Sequence, residues 1–255
     1  MNTFIDTHCH LTAKQLYPQA TELVLAARMV GVTKIIIPGT QPEDWCKVTS
    51  LVNKTDNLYP ALGIHPFYIT EHWQSDIRKL EGILNQHQLI AIGEIGLDFI
   101  HAKTEAQQKR QIDVFAAQLE LADRYNLPVL LHNRKSLSAC ITLLQQHQHR
   151  TGGIAHAFNG SLEQVRILNR IGLKVGINTI ACRPNTPRLQ KLIKSLPDDS
   201  FVLETDAPDM APVPNTTNYP ENIPELAQKI ADIRNQTLAH IAATTNRNAS
   251  SVLAV

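Results

Sequence analysis

The sequence is poor in the features that mark secreted, membrane-embedded or disulfide-stapled proteins. Only four of its 255 residues are cysteines, and no two of them form a C-x-x-C pair, which argues against a disulfide framework and a zinc ribbon. No apolar run approaches the length of a membrane span, and the first ten residues lack the basic start and apolar stretch of a secretory signal. These absences predict a cytoplasmic protein without a membrane partner.

An excess of charge of one sign is also lacking. Lysine and arginine number 24 against 23 for aspartate and glutamate, so the formal net charge is only +1. Proteins that grip duplex nucleic acid usually have a stronger basic excess. No charged tail or low-complexity tract indicates an obligate protein partner.

Hydrophobic residues, by contrast, make up 43% of the chain, which is enough to bury a large core. The length allows one or two domains, but closed barrels commonly use this length as one domain, so we predict a single domain over residues 1–255. The least regular part is the stretch 208–224, which is rich in proline and asparagine and is predicted to be a long loop.

Short apolar runs alternate with longer segments of helical periodicity. Repeated strand and helix units require a parallel sheet with right-handed crossovers, and eight of them favour a single (β/α)8 barrel of the TIM type, regular or distorted. The strand-like runs are residues 4–5, 34–37, 59–62, 89–92, 128–131, 153–155, 174–177 and 201–203, and the helical patterns include 42–52, 104–125, 137–146, 161–171 and 186–196.

A doubly wound open sheet is the alternative fold of the α/β class. It would be indicated by a glycine-rich phosphate loop after the first strand, and that position holds Thr7-His8-Cys9-His10 instead. The barrel is therefore the preferred prediction.

Histidines and carboxylates follow the predicted strands at their C-terminal ends, where barrel enzymes carry their sites. His8 and His10 are two residues apart in an extended segment, so their side chains point to the same side while that of Cys9 points away. The other blocks are Gly63-Ile64-His65-Pro66, Gly93-Glu94-Ile95-Gly96-Leu97-Asp98, His132-Asn133-Arg134, His156-Ala157-Phe158 and Glu204-Thr205-Asp206.

A single histidine at the end of a strand is more often a hydrogen-bonded structural residue than a metal ligand. His147 and His149 repeat the spacing of the first pair, but they follow a helical segment, so they belong at the opposite rim and are predicted to lie in a solvated loop. Several histidines and carboxylates gathered at one rim, however, would be costly to bury without a cation. The pattern as a whole therefore favours a metal site.

These six blocks, together with Phe4-Ile5-Asp6 and Ala207-Pro208, resemble the TatD family of metal-dependent deoxyribonucleases within the amidohydrolase-like barrels. The resemblance spans essentially the whole chain, and the form Glu204-Thr205-Asp206-Ala207-Pro208-Asp209-Met210 is similar to the YjjV-type branch. It implies two divalent ions per chain, which could be Zn, Mg, Mn, Ni or Fe.

The resemblance also implies a role for each residue of this sequence that matches the family pattern. His8, His10 and Asp206 would bind one ion, His132 and His156 the other, and Glu94 would bridge the two. Asp206 and Glu94 are the implied catalytic residues, with Asp206 orienting or deprotonating the attacking water. The implied phosphate contacts are His65 and Arg134, and the implied supports of the ligands are Asp98 and Glu204.

Purely structural roles are the alternatives for several of these residues. Arg134 could equally form a salt bridge inside the rim, and Asp98 and Glu204 could be a helix cap or buried hydrogen-bond acceptors. Cys9 is predicted to pack as a small hydrophobic residue. The aromatic residues after His65 could form a stacking surface, but core packing is the preferred prediction for Phe67, Tyr68 and Trp73.

The chain departs from the family pattern at positions next to the ligands. A loop arginine of the family is absent from Thr217-Asn218-Tyr219-Pro220, Ala157 stands in place of cysteine or glycine, and Asn159 in place of serine. These neighbours bear on substrate specificity more than on metal binding.

The function that the resemblance implies is metal-dependent hydrolysis of phosphodiesters by a water activated between two metals, with DNA or a small phosphodiester as substrate and 3′-5′ exonuclease-like action. The alternative is a binuclear ester or amide hydrolase, for example a lactonase or an aminoacyl-tRNA deacylase. A non-catalytic binding module is a further alternative, which the complete ligand set disfavours.

Overall fold

Eight strands form one parallel sheet, ordered β1 to β8, in the computed structural model, which describes residues 2–255. The strands are β1 (Phe4–Asp6), β2 (Val32–Gly39), β3 (Leu58–Leu62), β4 (Ala91–Asp98), β5 (Val129–Arg134), β6 (Gly153–Ala155), β7 (Leu173–Ile177) and β8 (Phe201–Leu203). The backbone amide of Thr7 donates to the carbonyl of Leu203 at 3.0 Å, and that of His10 to Ala207 at 2.8 Å, which joins the last strand to the first. The barrel prediction is confirmed, because a doubly wound sheet would have a different strand order.

Nine helices are described, and they surround or close the barrel. They are α1 (Ala20–Met29), α2 (Pro42–Lys54), α3 (Trp73–Leu84), α4 (Glu105–Arg124), α5 (Leu137–Gln146), α6 (Leu162–Arg170), α7 (Pro187–Ser195), α8 (Ile223–Arg234) and α9 (Leu238–Leu253). Thr104 and Ser161 begin α4 and α6 with capping boxes, so local chemistry fixes both starts. The five helices expected from periodicity are confirmed to within two residues at each end.

The fourth and fifth strands are longer than the apolar runs predict. β4 continues through Glu94 to Asp98, and β5 continues through His132 to Arg134, because Asp98 pairs with Arg134 across the two strands. The pairing register shifts between Gly93 and Ile95, which leaves Glu94 as an extra residue in a bulge. Bulges re-aim side chains, and this one places a carboxylate within the strand where the sequence suggested a following loop.

Two apolar clusters account for the core. The larger one lies between the strands and the surrounding helices. The smaller one lies inside the barrel and contains Ile36 and Val202 together with Ala249 and Leu253 of α9. Since α9 also contacts β1 and β6 to β8, it closes the N-terminal end of the barrel. The C-terminal end is left for the polar residues.

The stretch 208–224 is mostly loop, as predicted, but it ends in a short helical turn at Pro220–Asn222 and α8 begins at Ile223. The prediction of a solvated loop is wrong for His149, which is only 5% exposed. Its Nδ1 lies 2.6 Å from an Asp123 carboxylate oxygen and its Nε2 lies 2.9 Å from the Gly152 carbonyl. His149 thus pins the end of α5 to α4 at the N-terminal rim. Within residues 2–255, no helix is both long enough and apolar enough to cross a bilayer.

Candidate metal centre

Four potential ligand atoms converge at the C-terminal end of the barrel. The Nε2 atoms of His8 and His10 are 3.2 Å apart, and Glu94 Oε2 lies 3.3 Å from the first and 3.6 Å from the second. Asp206 Oδ1 lies 3.5 Å from His10 Nε2 and 3.8 Å from His8 Nε2. Atoms bound to a tetrahedral zinc ion at about 2.0–2.1 Å lie about 3.3 Å from one another. The donor set and its spacing therefore fit a divalent cation.

Asp6 is not among the predicted site residues, yet it holds this part of the site together. It is fully buried, and its carboxylate accepts hydrogen bonds from the backbone amides of His8 and Thr205 at 3.2 and 2.9 Å and from the Thr205 hydroxyl at 2.6 Å. Burial raises the pKa of Asp6 to about 7, and the hydrogen bonds from Thr205 and His8 limit the rise. Asp6 thereby fixes His8 relative to the segment that carries Asp206. Its place two residues before His8 was the available signal.

Glu94 faces two groups of histidines with its two oxygens. Oε2 is directed toward His8 and His10, while Oε1 lies 2.9 Å from His132 Nδ1 and 4.0 Å from His156 Nε2. Burial alone would raise the pKa of Glu94, but the surrounding imidazoles hold it well below its usual range. A single buried carboxylate is thus shared between two sets of nitrogen atoms.

His132 is positioned by Asp98. Its Nε2 lies 3.1 Å from Asp98 Oδ2, while Asp98 Oδ1 accepts hydrogen bonds from the backbone amides of Ile100 and His101. Gly96 allows β4 to lie close to β5 at His132. Its φ is +140°, and a Cβ there would lie 2.0 Å from the His132 carbonyl oxygen. With Nε2 in contact with Asp98, Nδ1 is the ring nitrogen of His132 that faces Glu94.

His156 lies against a second buried carboxylate, that of Glu204. Its Nδ1 lies 3.0 Å from Glu204 Oε1, which also accepts the amide of Ala157 at 2.7 Å, and its Nε2 lies 3.5 Å from Asp206 Oδ2. Burial lowers the pKa of His156, but the charges of Glu204 and Asp206 outweigh it and raise the pKa to about 10. The His156 ring stacks on His8 at 3.7 Å between centroids. Asp98 and Glu204 are thus buried acceptors, and each touches one histidine.

Asp206 lies on a constrained turn after β8. Its φ is +60°, a left-handed conformation that glycine, asparagine and aspartate adopt more readily than other residues and that recurs at functional sites. Asn218 supports this turn from the loop that lacks the family arginine, since its side-chain amide donates to the Thr205 carbonyl at 2.8 Å and it is fully buried. Burial raises the pKa of Asp206, but His156 and His10 outweigh burial and keep the pKa below its usual value.

His65 lies at the edge of the cluster with its Nε2 3.5 Å from Glu94 Oε1. Its Nδ1 accepts a hydrogen bond from the Phe67 amide at 3.1 Å. Burial lowers the pKa of His65 to about 3, so the ring is neutral and its proton is on Nε2. Although His65, Glu94 and His132 are close enough to hold an ion together, this tautomer makes His65 a hydrogen-bond donor to the site.

Arg134 and two aromatic residues border the cluster. Arg134 is exposed and forms no ion pair with any described residue, so the alternative of a salt bridge inside the rim is wrong. The prediction of core packing is wrong for Phe67 and Tyr68, which are 41% and 43% exposed. It is confirmed for Trp73, which packs against the core. Cys9 is fully buried, as expected.

The structure thus gathers the six predicted ligands and His65 into one cluster, with Arg134 at its border. Three overlapping groups of potential ligands are His8, Glu94 and His156; His8, His10 and Asp206; and His65, Glu94 and His132.

Comparison with known proteins gives a consistent result over the whole chain. A sequence model described as TatD related DNase matches residues 5–254. The chain is 35% identical over 229 residues to the uncharacterized metal-dependent hydrolase YjjV of Escherichia coli K12, which covers 89% of this chain and 87% of that protein. It is 29% identical over 260 residues to the protein of the same strain named 3′-5′ ssDNA/RNA exonuclease TatD, covering 98% of both.

A solved structure agrees with these matches. The crystal structure of YjjV, a TatD homologue from Escherichia coli K12, has a TM-score of 0.92 and 32% sequence identity, and it covers 99% of this chain and 98% of that one. The chain therefore belongs to the family of TatD-related DNases, a family of metal-dependent hydrolases.

Proposed function

We propose that this TatD-family hydrolase binds two divalent cations and cleaves terminal phosphodiester bonds of single-stranded nucleic acid in the 3′-5′ direction. The observation that carries the proposal is the position of Glu94, whose two oxygens face His8 and His10 on one side and His132 and His156 on the other. One carboxylate between two nitrogen sets suits a bridge between two cations. The relative named as a 3′-5′ ssDNA/RNA exonuclease supports the choice of substrate.

His8, His10 and Asp206 would hold one cation, His132 and His156 the other, with Glu94 shared. Mixed nitrogen and oxygen ligands suit zinc, manganese, nickel or iron, and the carboxylates also tolerate magnesium. When bound, such cations acidify a water molecule and neutralise charge on a phosphate group. We also propose that the chain forms one domain, since all eight strands belong to one sheet.

The protein's own groups supply the remaining chemistry. Asp206 is ionised and its side chain is 10% exposed, so it can accept the proton of an attacking water and later return it to the leaving oxygen. The Nε2–H of His65 donates a hydrogen bond to a phosphate oxygen, and the fixed contact of its Nδ1 with the Phe67 amide keeps the donor in place. The unpaired guanidinium of Arg134 binds a phosphate through two parallel hydrogen bonds.

The test combines metal content with nuclease activity. Wild-type protein should bind two divalent ions per chain and shorten 5′-labelled single-stranded DNA one nucleotide at a time. Glu94→Ala should lose at least one ion and reduce kcat/KM by about 1000-fold or more, because both cations lose a shared ligand. Mass spectrometry of the intact metal-loaded protein and a gel assay with magnesium, manganese or zinc measure these quantities.

The matched control is Glu120→Gln, which changes an exposed carboxylate on α4 and should leave both measurements unchanged. Full activity of Glu94→Ala would contradict the bridging role. A wild type that binds two ions but leaves DNA and RNA intact would refute the nuclease assignment, and the ester or amide hydrolase would then be tested with lactones and aminoacyl esters.

A further inference from the structure

A cavity opens beside the metal centre, over the ends of β5, β6 and β7. It has a volume of about 940 Å³. Asn133 and Ala157, which directly follow the candidate ligands His132 and His156, line it, and so does Met210, four residues after Asp206. The cavity is therefore continuous in sequence with three of the ligand-bearing segments. None of its lining residues has been given a role in holding the cations.

The residues that line the cavity suit a ligand that carries both a negative charge and a ring with hydrogen-bonding groups. It contains no aspartate or glutamate, and its two cations, Lys135 and Arg188, are exposed and form no ion pair within residues 2–255. Hydrogen-bonding groups come from Asn133, Asn159 and Asn185. The Nδ2 atom of Asn133 has no hydrogen-bond partner among the described residues. A buried hydrogen-bonding group that is unsatisfied within the protein requires a partner, such as a ligand.

Apolar surface provides the other walls of the cavity. Phe158 forms part of the inner wall and is 4% exposed, while Phe99, Ile180 and Leu189 are only partly covered. Aromatic and aliphatic faces beside amide groups form the usual environment of an extruded nucleobase, which needs stacking on its faces and hydrogen bonds at its edge.

Backbone strain is concentrated around the same cavity. Lys135, Ala157 and Met210 have φ values of +54°, +47° and +55°. These residue types rarely adopt the left-handed conformation, which most often belongs to glycine, asparagine or aspartate. Such conformations cost about 1–3 kcal/mol each and cluster at ligand sites. At this rim they orient three lining residues between the ligand segments and the cavity.

We propose that this cavity, the Lys135–Arg188 pocket, holds the base and sugar of the terminal nucleotide whose phosphodiester lies at the metal centre. The proposal rests on the phosphodiesterase function proposed above and adds a subsite to it. Amide groups contact the edge of the base, Phe158 and Ile180 cover its faces, and the two cations attract the strand. Because the base must be unpaired to enter, the pocket selects single-stranded ends over duplex ends.

Two variants change the pocket from its exposed side. Ser138→Trp fills it from the second residue of α5, and Arg188→Glu introduces a carboxylate into a lining that has none. Their matched controls are Gln145→Trp on α5 and Lys191→Glu on α7, which make the same changes at exposed positions outside the pocket. We expect each pocket variant to raise KM for a single-stranded tetranucleotide about tenfold or more, the size of one lost base contact.

Two further measurements separate the pocket from the metal centre. Turnover of methyl 4-nitrophenyl phosphate, which has no base or sugar, should be the same in the pocket variants and in wild type. Calorimetry on the metal-loaded protein should show that wild type binds deoxynucleoside 5′-monophosphates about tenfold or more tightly than 2-deoxyribose 5-phosphate. The pocket variants should lose this preference, and the controls should keep it.

The outcomes distinguish the two proposals. Unchanged tetranucleotide KM in both pocket variants, or equal affinity of wild type for the two ligands, would overturn the pocket and leave the nuclease function intact. The wild type could instead hydrolyse no phosphodiester but bind the mononucleotides more tightly than 2-deoxyribose 5-phosphate, with this preference lost in Ser138→Trp. That result would support the pocket and refute the nuclease proposal.

Discussion

Asp98 and Glu204 illustrate how single residues shape the centre without standing among its proposed ligands. Each is a fully buried carboxylate that lies about 3 Å from one nitrogen of a histidine, 3.1 Å for His132 and 3.0 Å for His156. Such a contact fixes the tautomer and orientation of an imidazole and increases its basicity. The other nitrogen of each ring is then directed to the cluster.

At the same scale, Gly176 makes room for Glu204. A Cβ on this residue of β7 would lie 2.0 Å from Glu204 Oε2 and 2.4 Å from its carboxyl carbon. Gly176→Ala should therefore displace Glu204, free the ring of His156 and weaken metal affinity about 10- to 100-fold. A titration with zinc against a competing chelator measures the affinity.

The control for this substitution is Gly82→Ala in α3, where nothing lies within 4 Å of the added Cβ. It should leave metal affinity unchanged and stabilise the fold by about 0.5–1 kcal/mol, because alanine loses less backbone entropy in a helix. If Gly176→Ala bound zinc as tightly as wild type, Glu204 would not position His156.

Exposure of single side chains is the level at which sequence-based prediction was weakest. Phe67 and Tyr68 were expected in the core and are exposed, while His149 was expected in solvent and is buried. Residue type gives only an average preference for burial, whereas actual burial depends on which distant segments cover the residue. For His149 the decisive partner is Asp123, 26 positions earlier in the chain.

At the scale of secondary-structure elements, polar contacts join α8 and α9 to the segment between α7 and β8 at the N-terminal rim. Arg234 of α8 forms an ion pair with Asp198 and donates to the carbonyls of Ile193 and Leu196 at 2.7 and 2.8 Å. His240 of α9 lies 2.9 Å from the other oxygen of Asp198. The contacts satisfy carbonyl groups at the end of α7 and hold three elements in register.

This junction should make stability depend on pH. Burial raises the pKa of Asp198, but the hydrogen bond from His240 and the charge of Arg234 outweigh burial and hold the pKa below its usual value. Because the folded state lowers this pKa, the stabilisation is complete above the ordinary carboxyl pKa and is lost as pH falls through the lowered one. Asp198→Asn should lower the free energy of unfolding at pH 7 by up to about 1 kcal/mol, since the carboxylate is partly exposed.

Urea denaturation of both proteins between pH 7 and pH 2.5 measures the difference, which should shrink as the solution becomes acidic. Glu120→Gln, without an ion pair among the described residues, serves as control and should show no such trend. A difference that stayed constant across this range would mean that Asp198 contributes through packing and not through charge.

The bulge at Glu94 shows what element-level prediction misses. The apolar run 89–92 correctly indicated a strand, but its pattern could not show that the strand continues to Asp98 or that the pairing slips by one residue. Register depends on the partner strand, so it is decided only when β4 and β5 meet.

For the whole molecule, the two ends of the barrel have separate tasks. Ala249 and Leu253 of α9 pack among interior residues at the N-terminal end, and the metal centre lies at the C-terminal end. In barrels of this kind the first end serves stability and the second serves chemistry. Changes at α9 should therefore affect stability without changing the reaction.

Leu253→Ala tests this separation. Leu253 is 2% exposed, so its truncation leaves a cavity and should lower the free energy of unfolding by about 2–5 kcal/mol. The kcat of the folded enzyme on DNA should stay within about twofold of wild type at 25 °C, in line with the separate ends of such barrels. Denaturation followed by circular dichroism, beside the nuclease assay, measures both. A single unfolding transition is expected if the chain is one domain, and a large loss of kcat would show that the two ends are coupled.

The resemblance to the TatD family implied which residues are the candidate ligands. The sequence by itself determined the barrel, the alternation of its elements and the blocks of histidines and carboxylates that follow its strands. These follow from short-range information: apolar periodicity, cap residues, and histidines or carboxylates within a few residues of a strand end. The tertiary structure alone decided that Glu94 lies in a bulge between two histidine groups, that Asp6 joins β1 to the end of β8, and that a pocket without acidic residues opens beside the centre. Asp6 and Thr205 are 199 positions apart, and only closure of the barrel brings such residues into contact.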